Sequence, residues 1–303
     1  MLTYLACPNC QSRVKPLKNG VFCSKCKIEF RQDNNGVINM LPKNIDTLSQ
    51  DKWNSHYKKH LNKIQISTEQ RRYMDYYGYD TINQITKYWK PKRKQIYLEI
   101  GSGPCYLGAE LAKNGVFVIG VDYSYEALVQ ATKLFKLKEL SNCLFILGDI
   151  NSLPIQESSI DFIYGGGVIE HFRNMDKVTS EMYRVLKKNA IAYNTVPFLN
   201  LGALTYRQLW GNIPFIPGVR QLFEFIHITL LKGKHMRFGY ELAFLPSTLK
   251  KLHQKAGFRK IIVSKFDAKI MFEYIKRPVF RNLALKVVRS DFFWPVLYIA
   301  ARK

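Results

Sequence analysis

From Gln95 to Ala301 the chain alternates between short apolar runs and longer stretches with apolar positions three and four apart. The short runs predict strands at Gln95–Ile100, Val116–Val121, Cys143–Leu147, Ile160–Tyr164, Ala190–Val196, Phe258–Ser264 and Phe293–Ala301. The longer stretches predict helices that include Leu107–Asn114, Tyr125–Leu140, Asp176–Lys187 and Pro246–Ala256. Regular alternation of this kind makes an α/β protein whose sheet is mostly parallel, with helices on both faces.

Two regions break the rhythm. From Asp46 to Lys90 the chain is polar with interspersed aromatics, among them Trp53, Tyr57, Tyr73, Tyr77 and Trp89. It reads as helices interrupted near Gly78, the last ending before Pro91. Phe198 to Tyr240 is rich in aromatics and carries the turns of "IPFIPG" and the apolar run "LFEFIHITLLKG". An insertion after the fifth strand lies near the strands' C-terminal ends, where open α/β sheets bind ligands. It is expected as a lid or pocket wall, or as a helical pair on the sheet edge, and both can hold. The expected organisation is residues 1–42 as a zinc ribbon, 43–90 as a helical linker or cap, and 91–303 as the main domain with its insertion at 198–240.

Composition changes this picture little, but charge does. The chain has 303 residues, 47% of them hydrophobic, which is a globular rather than a disordered balance. Lys plus Arg number 46 against 23 Asp plus Glu, a formal net charge of +23 that favours polyanions or an anionic membrane face. The basic residues are scattered, so solvated surface is an equally good account. No run of about 18 uncharged apolar residues exists to span a membrane, and the start "MLTYLACPNC" lacks the layout of a secretory signal. With its cysteines in metal-type spacing, the chain is expected in a reducing cytoplasm.

Cys7 and Cys10 form one C-x2-C pair and Cys23 and Cys26 a second, with 12 residues between the pairs. Each pair can sit on a tight turn aiming two thiolates at one point, which gives a closed tetrahedral sulfur site suited to Zn2+. Asn19-Gly20 between them favours a two-residue hairpin turn. About forty residues bury too little surface to fold alone, so the metal is expected to be structural. Followed by "FRQDNNGVINMLP", a Gly-flanked apolar strand ended by Pro42, the arrangement from Cys7 to Pro42 resembles the N-terminal zinc ribbon of bacterial ribosomal-RNA guanine methyltransferases. A ribbon can grip nucleic acid, dock on its own catalytic domain or bind a partner; docking is the reading preferred here.

The loop in "YLEIGSGPCYLG" has Gly101 and Gly103 but Tyr106 where a dinucleotide loop needs its third glycine, and Pro104 lacks an N–H for a phosphate. No Gly-Lys-Ser/Thr follows, so it is not a P-loop. It can still bring backbone close to a ligand. Glu99 precedes it, and Asp122 ends the next strand, where a carboxylate can accept from both hydroxyls of a ribose. One strand later Asp149 can accept from an adenine amino group, with Ile150 against the ring. "SSIDFIYGGGVIEHF" then places Asp161 at the start and a glycine run at the end of the fourth strand, where backbone can pass a sulfonium unobstructed.

In order, "YLEIGSGPCYLG", "VIGVDYS", "ILGDINSLPIQESSIDFIYGGGVIEHF" and "MYRVLKKNAIAYNTVP" resemble a class I S-adenosylmethionine-dependent methyltransferase, of the subgroup that includes ubiquinone-biosynthesis methyltransferases. The resemblance covers Gln95 to Phe266. It implies a seven-stranded, mostly parallel Rossmann-like sheet whose last strand runs antiparallel. It also implies S-adenosylmethionine contacts at Glu99, Gly101, Gly103, Asp122, Asp149, Ile150 and Gly166. Two departures stand out: "RVLKKNAIAY" lacks the paired glycines usual after that helix, and "GGG" precedes Val168.

Methyl transfer from a sulfonium needs alignment and exclusion of water, and a base only for a hydroxyl or weak carbon acid. His171 is the candidate base; its alternative is a conformational role, with Glu170 and His171 capping the next helix. His227 and His235 are further candidates. No Asn/Asp-Pro-Pro-aromatic loop for base amino groups, no nucleophilic Cys for cytosine and no glutamate pair for arginine is found near the site. A small-molecule or lipid-linked acceptor survives best. Arg207, Arg220, Lys232, Lys234 and Arg237 are placed to meet phospholipid or diphosphate headgroups in peripheral contact with an anionic membrane. The rival readings are an RNA methyltransferase that holds RNA through its ribbon, and a non-catalytic ribbon scaffold with a vestigial pocket.

Overall fold

The computed structural model describes residues 2–42, 50–58, 63–236, 239–266, 277–288 and 290–303. Arg237 and Phe238 of the insertion, and residues 43–49 and 59–62 of the expected linker, lie outside them. The chain opens with three short antiparallel strands, β1 (Lys15–Leu17), β2 (Gly20–Cys23) and β3 (Ile28–Arg31). Gly20 sits at φ +137°, and a Cβ there would lie 2.1 Å from the Phe30 carbonyl oxygen, so glycine is required at this turn. β4 (Val37–Asn39) then leaves the ribbon.

A helical segment follows: α1 (Gln50–Lys58), α2 (Lys63–Tyr73) and α3 (Tyr79–Ile85). The interruption expected near Gly78 is a wide π turn at Met74–Gly78 that carries α2 into α3. Next come β5 (Ile96–Ile100), α4 (Tyr106–Ala112), β6 (Phe117–Asp122), α5 (Tyr125–Leu137), β7 (Cys143–Leu147), β8 (Ile160–Gly166), α6 (Met175–Val185) and β9 (Leu186–Pro197). The insertion holds α7 (Leu201–Leu204), a 3-10 turn at Tyr206–Trp210, β10 (Asn212–Pro214), α8 (Val219–Glu224) and a π segment at Phe225–Leu230. It closes on β11 (Glu241–Ala243), which pairs with β10 in a two-stranded parallel sheet of its own. The chain finishes with α9 (Pro246–Lys255), β12 (Arg259–Lys265), α10 (Pro278–Val288) and β13 (Val296–Arg302).

The main sheet has eight strands, in the order β12-β13-β9-β8-β5-β6-β7-β4, not the expected seven. As expected, β13 is antiparallel to its neighbours. The additional strand is β4, whose Val37 lies opposite Phe145 in parallel register with β7. The apolar strand before Pro42 agrees with expectation, but its partner does not follow from the pattern; the open edge on β7 is what makes this pairing favourable. Asp161 accepts from the Ile96 backbone N–H at 2.8 Å and from Lys187 Nζ at 2.8 Å, which ties the lower ends of three strands together. The turn expected after α6 is instead the irregular start of β9, where Asn189 takes the left-handed φ of +66° at the place of the resembled subgroup's paired glycines.

Successive strand residues face opposite layers, so Leu98 and Ile100 enter one core and Tyr97 enters the other. The first core continues without a break into the ribbon through Leu5, Val21, Phe30, Ile38 and Met40. The ribbon also bonds to the main domain: the Ala6 N–H donates to the Pro154 carbonyl at 3.1 Å, and the Gln156 N–H to the Tyr4 carbonyl at 2.8 Å.

Arg207 corrects one expectation. It is buried, and its guanidinium donates to the carbonyls of Pro295 and Phe198 and to Asn200 Oδ1, so it pins the insertion to the sheet and faces no headgroup.

If β4 is part of the main sheet, Ile38→Ala should lower the unfolding free energy of the whole chain by about 2–4 kcal/mol in one transition. Leu17→Ala, at an exposed ribbon position, should cost less than about 0.5 kcal/mol. Urea unfolding followed by circular dichroism measures both, and equal effects would show the ribbon unfolding by itself.

Candidate cofactor and acceptor cleft

The sheet order reverses between β5 and β8, and a cleft opens at the C-terminal ends of the strands beside this point. The loop after β5 has left-handed φ at Gly101 (+55°), Gly103 (+50°) and Cys105 (+54°), and it turns directly into α4. Asp122, at the end of β6, holds it: Oδ2 accepts the Gly103 N–H and Oδ1 the Ser124 N–H, both at 2.7 Å. The carboxylate is 9% exposed, and burial raises its pKa to about 6 although these donors favour the charged form.

Glu99 points the other way. It accepts from Tyr97 Oη at 3.0 Å and from the Gly108 N–H in the first turn of α4 at 2.9 Å, and burial raises its pKa to about 7. The structure therefore places Glu99 behind the loop, where it fixes α4, and not in the cavity. Gly103 is also outside the lining, because Tyr57 Oη stands 2.6 Å from where its Cβ would be.

The cavity has a volume of 380 Å³ and brings together Gly101, Asp122, Asp149, Ile150, Gly166 and His171. Asp149 Oδ1 accepts the Asn151 N–H at 2.7 Å and so caps the short turn Ile150–Ser152. That turn is fixed from behind by the ribbon: Ser152 Oγ donates to the Pro8 carbonyl, and Gln11 Nε2 donates to Ser152 Oγ at 3.2 Å.

The glycine run at the end of β8 meets close neighbours at its first two positions and a left-handed backbone at its third. A Cβ at Gly165 would lie 2.4 Å from Asn194 Oδ1, and one at Gly166 would lie 2.2 Å from Tyr164 Oη. Gly167 takes φ +69° and donates its N–H to Thr195 Oγ1 at 3.1 Å.

His171 Nδ1 lies 2.6 Å from the Tyr240 carbonyl oxygen. A carbonyl only accepts, so the proton sits on Nδ1 and Nε2 is left as the acceptor nitrogen. Glu170 is buried, its pKa pushed well above the carboxylate range by burial. Neither residue caps α6; Asn174 does, with its Oδ1 accepting the Lys177 N–H at 3.0 Å. His227 and His235 bond to each other at 2.8 Å, and neither lines the cavity.

Sequence reasoning missed Trp53, Tyr57, Arg173, Lys177 and Tyr240, all of which line the cavity. Trp53 and Tyr57 are one helical turn apart on α1, and their rings stack at 6.3 Å over the loop. Arg173 and Lys177 flank the start of α6, a spacing that could have been noticed; Tyr240 gives no local signal.

In sequence, residues 91–198 match the profile described as Methyltransferase domain. The biotin biosynthesis bifunctional protein BioHC of Cellvibrio japonicus is 30% identical over 153 residues, which are 50% of this chain and 29% of that protein. Demethylmenaquinone methyltransferase of Lactobacillus johnsonii is 26% identical over 159 residues, 50% of this chain and 61% of the relative. The matches thus span less than two thirds of either relative. Among solved structures, Haemonchus contortus phosphoethanolamine N-methyltransferase 2, in complex with phosphomonomethylethanolamine and S-adenosylhomocysteine, aligns with a TM-score of 0.59 at 18% identity. That alignment covers 87% of this chain and 61% of the other. The fold is that of the Rossmann-like methyltransferases, and residues 91–198 carry their domain signature.

Proposed function

We propose that the protein is an S-adenosylmethionine-dependent methyltransferase whose acceptor is a small or lipid-linked molecule. The observation that carries this reading is the pair of carboxylates, Asp122 and Asp149, at the ends of adjacent strands in one cavity with Gly101 and Gly166. Each Asp122 oxygen already accepts one backbone N–H, and each keeps a lone pair for one hydroxyl of a ribose diol. Asp149 Oδ2 would accept from the adenine amino group, and Ile150 would line its ring. The cofactor supplies a methyl sulfonium with a good leaving group; the protein aligns the acceptor and keeps water out. Trp53 and Tyr57 cover the cavity above the glycine loop, and Trp53 meets the His171 ring edge-on at 5.8 Å, with Tyr240 beside it in the wall. His171 Nε2 can take a proton from a hydroxyl or carbon acid. Arg173 and Lys177 at the rim favour an acceptor with an anionic group.

We also read the four cysteines as a structural Zn2+ site. Cys7 and Cys26 Sγ lie 3.9 Å apart, Cys10 and Cys23 Sγ 3.6 Å apart, and all four lie within 4.8 Å of one another. A tetrahedron with bonds of about 2.3 Å has edges near 3.8 Å, so the donor set fits. Its bonds to Ser152 make the ribbon a support for the adenine wall, which favours docking over a grip on RNA.

Calorimetry with S-adenosylhomocysteine should show one site per chain. Asp122→Ala should weaken it about 10- to 100-fold; no binding by the parent chain would leave the scaffold reading standing. Because burial holds Asp122 at about 6, affinity should fall about tenfold per pH unit below that value as the carboxylate protonates. Stability runs the opposite way. The folded forms of Asp122 and Glu99 bind protons that the unfolded chain has released, so their contribution is largest below about pH 4 and declines as pH rises towards 7.

Metal analysis should return one zinc per chain. Cys23→Ser should cost at least about 4 kcal/mol of stability, and mild chelation should weaken cofactor binding; an RNA-gripping ribbon would leave that affinity unchanged. His171→Ala should keep cofactor affinity and lose turnover about 100-fold or more if the acceptor needs a base. Mass spectrometry of cell extract incubated with isotopically labelled cofactor identifies that acceptor.

A further inference from the structure

The exposed apolar side chains are gathered on one part of the molecule. Of eighteen large apolar residues exposed among the described residues, fourteen lie in two segments, Leu201 to Leu231 and Val279 to Phe292. The most open are Val279 at 76%, Leu209 at 75% and Phe292 at 67% exposure. On α8 and its continuation, exposed Val219, Leu222 and Phe225 recur every three residues and form one stripe, while Phe223 and His227 turn inward. α10 presents Val279, Phe280 and Leu283 in the same manner.

These segments adjoin one another. The Gly202 N–H donates to the Phe292 carbonyl at 3.0 Å, and His227 Nε2 meets Gln208 Oε1 at 2.8 Å, which joins α7, the 3-10 turn and the π segment. α10 ends four residues before Phe292. Exposed apolar residues concentrated in neighbouring segments of a protein with polar surface elsewhere point to an interaction site.

The charges around it select the partner. Residues 198–240 and 277–292 hold only two acids, Glu224 and Asp291, and each is already ion-paired, to Arg220 and Lys265. Lys232, Lys234, Arg277 and Lys286 are exposed and have no ion pair among the described residues. Apolar side chains flanked by unpaired cations suit the headgroup and acyl boundary of an anionic bilayer. They do not suit RNA, which offers phosphates but no apolar phase. No helix among the described residues is long and apolar enough to cross a membrane.

The face also reaches the cavity. Arg220 of α8 donates to the Arg173 carbonyl at 3.2 Å, and both guanidinium groups lie over the Tyr240 ring, at 5.8 and 5.3 Å. Arg173 and Tyr240 line the cavity. The apolar stripe therefore begins at the rim where the acceptor enters.

We propose that the insertion and α10 together form a docking face for an anionic membrane surface, oriented so that an amphiphilic acceptor passes from the bilayer to the cleft beside Arg173. The docking face stands on the surface alone; the passage of an acceptor rests on the methyltransferase reading.

The full chain, without cofactor, is sedimented with phosphatidylcholine vesicles that contain phosphatidylglycerol and with pure phosphatidylcholine vesicles. Binding to the first and a blue shift of Trp210 fluorescence are expected. Leu209→Glu combined with Phe225→Glu should weaken binding at least tenfold, while Leu17→Glu and Leu137→Glu, at exposed positions elsewhere, should not. Because all four positions are exposed, thermal melting checks that the variants fold, and calorimetry with S-adenosylhomocysteine reports separately on the cofactor reading. Absence of binding to anionic vesicles overturns the proposal. So does binding that salt abolishes but the double variant leaves unchanged, and so does a stable dimer, broken by the double variant, that ignores vesicles.

Discussion

The bond from the Gly103 N–H to the Asp122 carboxylate is the constraint on which the cleft rests. It joins the tip of the glycine loop to the end of the neighbouring strand and fixes where backbone stands relative to carboxylate. A charge buried this deeply is stable only with donors, and the Gly103 and Ser124 N–H groups provide them. With the loop so held, α4 begins at a defined place, and Glu99 secures its first turn from behind. Two acids one strand apart thus serve opposite sides of one loop. Only Asp122 borders the open space.

The alternation of strands and helices was legible because each strand of the main sheet between β5 and β9 is nearly continuous in apolar residues and each helix keeps its stripe. Cys143–Leu147 agrees with expectation residue for residue. β4 was legible as a Gly-flanked apolar strand ended by Pro42, but its place in the main sheet was not, since the pairing partner is far away in sequence. In the site, residues at strand ends could be placed from topology alone, which is why Asp122, Asp149 and Gly166 meet in one cavity. Which way a strand-end side chain turns depends on the pleat. That is why Glu99, adjacent in sequence to the loop, lies on its far side. Tyr240 and Trp53 come from segments whose position is set by tertiary packing, and no local pattern announces them.

The ribbon and the cleft are mechanically one unit. Pro8 and Gln11 hold Ser152, the turn of Ile150 to Ser152 is capped by Asp149, and Asp149 borders the cavity. Disturbing the cysteine cluster therefore reaches the cavity wall through two hydrogen-bonded links, with the continuous core through Ile38 and Met40 as a second path. The insertion, by contrast, is attached to the sheet through Arg207 and Asn200; Ile213, Met236 and Tyr240 are buried, while Leu209, Leu222 and Phe225 stay outward.

The pairing of β4 with β7 also bears on how the chain is made. Val37 sits opposite Phe145, 108 positions later in the sequence. At about 5–20 residues per second, the ribosome delivers that partner about 5–20 seconds after β4 emerges. The hairpins of β1, β2 and β3 are local and close early. A local bridge between Gln32 and Ile38 can hold β4 to the ribbon early, but its ladder with β7 forms only when β5, β6 and β7 have assembled beside it. The ribbon is synthesised before the strands of the sheet, and the ladder that ties β4 to them forms only once half the sheet exists.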